Sequence, residues 1–413
     1  MASIQSLSDV VDWDLCTGCG ACYYACSEGA VSLVNIVALG IRPQFNSSAC
    51  AACTKCLSIC PGYVVDANSS MSPPLRSEAD HAFGPALEIW EGHASDPEIR
   101  YRGSSGGILT ALALYCLEQE NMNFVLHTGA NEDHPLENAT IKSYTRDELL
   151  TRSGSRYAPA SPCEGLATIE ESDSPCVFIG KPCDVAAVSM LRGDRPKLNQ
   201  NLGLVLTFFC AGTPSTQGTL DLAESLNVLP DQIDSVRYRG EGWPGRFTIT
   251  YDNERHKRSL SYAESWGELT RYRSLRCNLC PDGLGRLGDI SCGDAWENST
   301  DNGEPGLSLV VVRTPRGQRI LRGAIAAHYV ELRAVTADNI YAAQKNLLNR
   351  RTEIFGRLIG LKLFGIPVPR FSGFSLVRSW LRLPLVRKVK TILGTAKRVM
   401  LRRLYVRRPT IRG

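Results

Sequence analysis

Eight cysteines in the first sixty residues fall into two copies of one spacing. The first is Cys16-x2-Cys19-x2-Cys22-x3-Cys26 and the second is Cys50-x2-Cys53-x2-Cys56-x3-Cys60, followed by Pro61. Thiolates three residues apart on a tight loop converge on one face of an iron–sulfur cube, while the fourth, one helical turn on, points away and reaches a second cube. A segment patterned this way must fold around clusters rather than around an apolar core alone. By this crossing rule Cys16, Cys19, Cys22 and Cys60 hold one [4Fe-4S] cluster, and Cys50, Cys53, Cys56 and Cys26 hold the other.

This is the two-cluster ferredoxin pattern, and it implies electron transfer. A lone C-x2-C often means zinc. Zinc sites use pairs of pairs, which would leave the third cysteine of each run without a role. Disulfides are the other reading, and cysteines this crowded in a chain this long argue against it. Ser27 stands where the first copy would usually carry proline, so that loop is less rigid but loses no ligand.

A length of 413 residues predicts two or three domains with a substantial core. Cluster thiolates must stay reduced, so a cytoplasmic, low-oxygen setting is expected. The start MASIQSLSDVVDWDLC lacks a basic segment followed by an apolar run, and no stretch reaches the roughly 18 apolar residues of a membrane span. Charge is unevenly spread. After Glu353 there are fifteen Lys and Arg and no acidic residue, so a chain of net charge +4 has a body at −11.

The expected fold is an α+β ferredoxin-like module over residues 1–66, a Ser- and Pro-rich linker over 67–83, an α/β body over 84–345 and a basic helical tail over 346–413. In the body, a helix is expected from Ser105 to Gln119 and another over Asp184–Leu191. Strands are expected over Cys176–Gly180, Leu202–Phe209 and Leu307–Arg313.

Ser104, Ser105, Gly106 and Gly107 stand directly before an apolar helix, where free backbone N–H groups suit an anion such as phosphate; a simple capped helix reads equally well. Lys181 and Cys183 lie on a strand-to-helix turn, with Cys183 at a helix start that favours a thiolate. Cys210 ends another apolar strand, and Cys277 and Cys280 form a further C-x2-C. These four cysteines could meet as a third metal site, of iron–sulfur or zinc type, although Cys210 also reads as a small buried hydrophobe. Cys116, Cys163, Cys176 and Cys292 have no partner spacing and read as structural. The loop Arg239–Gly245, RGEGWPG, could present the Trp243 indole, with Gly242 beside it, to a flat ring, or could be a hairpin covered by a Trp. Asp289 and Asp294 fall near turns, where Asp is common.

Together these segments resemble the beta-subunit family of coenzyme F420-reducing hydrogenases and formate dehydrogenases, which includes 7-hydroxymethyl chlorophyll a reductase. The resemblance rests on SSGG at 104–107, GSRYAP at 154–159, IGKPCD at 179–184, FFCAG at 208–212, RGEGWPG at 239–245, and RCNLCPDG with GDISCGD at 276–294. It covers roughly residues 1–340 and divides the body into an N-terminal, flavin-binding half at 84–200 and a C-terminal half at 201–345. It implies FAD beside a third [4Fe-4S] cluster, with Ser104, Ser105, Gly106, Gly107, Lys181, Gly242 and Trp243 lining the flavin or substrate pocket. It also implies Cys183, Cys277 and Cys280 as ligands, with Cys210 as the fourth. The two-electron carrier is left open, coenzyme F420 being one candidate.

The leading expectation is an oxidoreductase: an iron–sulfur flavoenzyme passing electrons between a soluble two-electron carrier and single-electron clusters, and on to a redox partner protein within an oligomer. The alternative is a non-catalytic electron-transfer subunit docked to a larger enzyme. A third class is a surface-binding protein built around the tail. From Leu385, apolar residues recur at helical spacing among Lys and Arg, so peripheral contact with the inner membrane face is expected, or a helix folded back on the acidic body. Nucleic acid is not expected, since no aromatic stacking platform accompanies the charge.

Overall fold

The computed structural model describes residues 3–46, 48–50, 53–68, 75, 77–296 and 305–407. Part of the expected 67–83 linker and the last six residues of the tail lie outside them. The strands, in chain order, are β1 (Val31–Ile36), β2 (Gly40–Phe45), β3 (Val64–Asp66), β4 (Glu88–Ala94), β5 (Val125–Ala130), β6 (Asn138–Ser143), β7 (Cys176–Gly180), β8 (Leu202–Phe208), β9 (Ile233–Arg237), β10 (Arg246–Tyr251), β11 (His256–Ser261), β12 (Ile290–Asp294), β13 (Ser308–Val312), β14 (Val330–Ala334) and β15 (Arg370–Ser372).

One large sheet organises the body, in the order β14-β4-β13-β12-β8-β7-β5-β6. Its centre, β12-β8-β7-β5, is parallel, and every pair outside that centre is antiparallel. Central strands covered on both faces read as continuous apolar runs. Val310, Val311 and Val312 of β13 and Leu204, Val205 and Leu206 of β8 are accordingly buried. The helices Ile108–Glu118 and Pro315–Ala326 cover one face and the helix Pro182–Leu191 the other. A small antiparallel sheet, β11-β10-β9, carries its own core around Tyr238 and Phe247.

The expected elements are present with shifted ends. The helix expected from Ser105 begins at Ile108, because Gly107 caps it with φ 76° and turns the preceding chain aside. The helix expected from Asp184 begins at Pro182, whose fixed φ suits a first helical turn.

The N-terminal module pairs β1 with β2 in a hairpin and adds the short helices Ala21–Ala25 and Lys55–Ser58. It does not stand apart. Cys19, Ala21, Ala25 and Ile59 share one core with Val185, Val188 and Phe178 of the body. Gly20 makes that approach possible: its φ is +84°, and a Cβ there would lie 2.9 Å from Glu164 N and Ser161 O.

The chain after residue 345 returns to this module. β15 pairs in parallel with β3, and Leu361, Ile366 and Val399 pack among Leu7, Val10, Cys16 and Cys60. The helices Lys345–Lys362 and Leu385–Leu401 pack on one another. Charge follows the same path: Arg407 pairs with Asp9 at 2.9 Å and Asp12 at 2.7 Å, Arg387 with Glu353 at 2.9 Å, and Arg378 and Arg382 with Glu78. Arg378, Arg382 and Arg407 of the tail thus reach carboxylates of the N-terminal half, and Arg387 reaches Glu353 within the tail. Among the described residues, no helix is long and apolar enough to cross a membrane.

Candidate functional site

Cys16, Cys19 and Cys22 of the first run and Cys56 and Cys60 of the second line one small pocket, together with Leu33, Pro43 and Ile59. Burial pushes the Cys60 thiol up, and the sulfurs of Cys16 and Cys19 push it further. Cys22 is raised well up by burial and then by Cys19, Cys16 and Cys60. Cys16, Cys22 and Cys60 thus resist becoming bare thiolates, a preference that bound iron would reverse, whereas a hydrogen bond with the Cys163 thiol draws Cys19 down. Cys50, Cys53 and Cys56 form a second group: burial first, then Cys53 and Cys50, raise the half-buried Cys56. Cys50 and Cys53 are exposed, and Cys26 ends the helix Ala21–Ala25 against the same core as Cys56. Among the described residues no His, Cys, Asp or Glu group converges closely enough for a single metal ion. A four-iron cube spreads its thiolates over separate irons.

The body cysteines gather where the parallel strands end, the edge at which open α/β sheets place ligands. Cys183 follows β7 and Cys210 follows β8, its neighbour. Burial pushes Cys210 to about 12, with Cys277 and Cys280 adding to the rise. Cys183 is raised well up by burial, and Cys210 and Cys280 contribute. Thr213 N–H donates to Cys277 Sγ at 3.5 Å, fastening the loop after β8 to the C-x2-C segment. Arg350 donates to the carbonyls of Ala211 at 2.6 Å and Cys210 at 3.1 Å, and adds positive charge beside the group.

Lys181 lies at this corner and is not free. Its ammonium donates to Ala160 O at 3.0 Å and pairs with the fully buried Asp184 at 2.9 Å. Burial opposes its charge, but Asp184 and the Cys183 and Cys210 sulfurs outweigh that and push its pKa up. Cys163 joins the corner to the N-terminal module. Its N–H donates to Cys19 O at 3.0 Å, and its fully buried thiol meets Asp184 O at 3.6 Å. Spacing gave Cys163 no partner, because its neighbours come from both domains.

A second constellation forms around the Trp243 loop. Gly242 N–H donates to Tyr101 O at 3.0 Å, which sets the loop against the Ser104–Gly107 turn. In that turn Gly106 N–H is already taken by Ser308 Oγ at 2.8 Å, and Ser105 Oγ donates to Leu307 O at 2.9 Å. Ser104 Oγ accepts from Ser155 N–H at 2.6 Å, bringing in the GSRYAP segment. Trp243 Nε1 and both Arg239 terminal nitrogens donate to the Asp294 carboxylate, at 2.9, 2.8 and 2.9 Å. Arg239 is 2% exposed. Burial works against its charge, but Asp294, then Tyr157, hold it charged. Its guanidinium lies 4.6 Å over Tyr262 and 5.4 Å over Trp296, whose rings stack at 5.4 Å. The sequence offered Asp294 only as a turn residue and Arg239 only as a loop residue. Their pairing crosses from the small sheet to the large one.

Two family profiles of the coenzyme F420 hydrogenase/dehydrogenase beta subunit match the body: the N-terminal profile over residues 89–167 and the C-terminal profile over residues 174–338. Residues 15–64 match a 4Fe-4S dicluster domain. The coenzyme F420 hydrogenase subunit beta of Methanococcus voltae is 24% identical over 70% of this chain and 99% of its own length. The F420-dependent formate dehydrogenase subunit beta of Methanocaldococcus jannaschii is 26% identical over 61% of this chain; the match spans 63% of that relative. A chain of the F420-reducing [NiFe] hydrogenase complex from Methanosarcina barkeri shares the fold, with a TM-score of 0.55 and 20% identity, over 71% of this chain and 98% of that one. With a 4Fe-4S dicluster domain before a body matched in both halves, the chain belongs to the coenzyme F420 hydrogenase/dehydrogenase beta-subunit family of oxidoreductases.

Proposed function

We propose that this chain is an iron–sulfur flavoprotein that passes electrons between a soluble two-electron carrier, such as coenzyme F420, and a redox partner protein. In this reading Cys16, Cys19, Cys22 and Cys60 hold an inner [4Fe-4S] cluster. Cys50, Cys53, Cys56 and Cys26 hold an outer one, and Cys183, Cys210, Cys277 and Cys280 hold a third. The observation that carries it is the seam at Cys163, whose N–H donates to Cys19 O and whose thiol reaches the carbonyl of Asp184, the residue after Cys183. The exposure of Cys50 and Cys53 suits an exit toward a partner.

The residues fit a flavin, FAD by family resemblance, in the second constellation. The Ser104–Gly107 turn at a helix start suits a phosphate, through donors other than the committed Gly106 N–H. Trp243 supplies a flat ring beside the turn, while Tyr262 and Trp296 stack on one another beneath Arg239, which Asp294 keeps charged. A bound flavin accepts two electrons as a hydride and releases them singly, as clusters require. Lys181, neutralised by Asp184, acts on the cluster corner rather than as a free cation for a ligand.

Anaerobic purification with flavin, iron and sulfide analysis tests this reading. The expected result is one flavin and about twelve iron per chain, four for each of three cubes. The flavin band should bleach with reduced F420 or another soluble hydride donor. Clusters without flavin would overturn it in favour of a non-catalytic electron-transfer subunit.

A further inference from the structure

We propose that the outward face of the helix Leu385–Leu401 docks on an anionic lipid membrane. This 17-residue helix, about 25 Å long, lies beyond the family-matched residues. It presents two separate rows. Thr391, Thr395 and Val399, four residues apart, are buried. They pack where Gly356 and Gly360 of the neighbouring helix leave room: a Cβ at Gly360 would lie 2.9 Å from Thr395 Cβ, and one at Gly356 would lie 3.0 Å from Thr391 Cγ2.

The other row is apolar and faces out. Leu385, Val389, Leu393 and Met400 share one side at helical spacing, with Leu385 74% and Leu393 62% exposed. Such residues on a folded-back helix would ordinarily face inward. Here the space beside Gly356 and Gly360 is taken by Thr391 and Thr395, so the short side chains make the close contact and the leucines stay outside. The helix packs with its apolar row outside.

Charge identifies the occupant. Lys390 and Lys397 are exposed beside the row, and no acidic residue follows Glu353 in the sequence. A second copy meeting this face by two-fold symmetry would set lysine against lysine. A protein partner usually anchors on aromatic residues, and the row is aliphatic. An apolar stripe flanked by lysines is the pattern of a helix lying in a lipid interface.

The full-length, cluster-loaded protein is tested by flotation with vesicles of equal phosphatidylglycerol and phosphatidylcholine, and with phosphatidylcholine alone, at low salt. Wild type is expected to float with the anionic vesicles only. Leu385→Asp with Leu393→Asp should lower the floated fraction at least about tenfold, and Lys390→Glu with Lys397→Glu should lower it comparably. Both pairs are exposed, so iron content and far-UV spectrum should match wild type. The readout needs no electron transfer, so its failure is distinct from failure of the redox reading. Absence of wild-type flotation, or flotation unchanged by the leucine pair, would overturn the proposal. A dimer that the leucine pair dissociates, with no vesicle binding, would overturn it in favour of a second copy.

Discussion

The N–H of Cys163 donates to the carbonyl oxygen of Cys19 at 3.0 Å, tying the body to the first cysteine run of the N-terminal module. Gly20, the next residue, is held at φ +84° with no room for a Cβ against Ser161 and Glu164. Gly20→Val is therefore expected to cost about 2–4 kcal/mol from the left-handed backbone and the overlap together. The midpoint of cluster bleaching in urea should fall, and electron transfer from body to module should slow. An unchanged midpoint would mean that the module is not docked through this seam.

Arg239 and Asp294 form a buried, two-pronged ion pair, and removing one partner strands the other. Arg239→Ala should destabilise the body by about 3–5 kcal/mol in urea unfolding and release the flavin. Arg237→Ala, whose partner Glu241 is about half exposed, should cost no more than about 1 kcal/mol. Equal effects would show that the burial of Arg239 does not matter.

His127 is buried and its Nε2 lies 2.8 Å from Ser143 Oγ. Burial first, and the Arg152 charge second, hold its pKa down to about 4. A free histidine titrates near about 6.5, so between these values the unfolded chain binds the extra proton and stability rises with pH. The contribution is complete above about pH 6.5 and is lost as pH falls toward 4. It is worth up to about 3 kcal/mol. His127→Gln should flatten that part of the profile, read as the difference between wild-type and variant urea midpoints from pH 4 to 8.

Gly360→Leu should overpack the seam against Thr395 and cost about 1–3 kcal/mol. Gly394→Ala, in the facing helix with nothing within 4 Å of its Cβ, should be neutral or stabilising by up to about 1 kcal/mol. Thermal unfolding followed by far-UV signal separates them.

Local signals made part of this architecture legible. The cysteine spacing marked the N-terminal module, and unbroken apolar runs marked β7, β8 and β13, because buried parallel strands need no polar face. What joins these parts was not legible. β15 is three residues long, and nothing local distinguishes it from a loop, yet it completes a sheet with β3. The pairing of Arg239 with Asp294 and the contact of Cys163 with Cys19 are likewise set by topology, not by spacing. Helical periodicity in the tail was visible and offered its apolar residues either to a membrane or to the acidic body, without showing which row packs. The packing row is Thr391, Thr395 and Val399, chosen by the room at Gly356 and Gly360.

Cys277→Ser tests the central claim most directly. Cys277 sits beside Cys210 in the body, and its neighbours Leu275 and Arg276 bond to Asp14 and Pro61 of the N-terminal module, so iron is counted separately for the two parts. Anaerobic iron analysis should show a loss of about four iron per chain, with about eight retained in the N-terminal module. A soluble hydride donor should still reduce the flavin, while the N-terminal clusters stay oxidised. A variant that keeps its full iron content and reduces those clusters at the wild-type rate would contradict the account, because the body would then hold no cluster at Cys183, Cys210, Cys277 and Cys280.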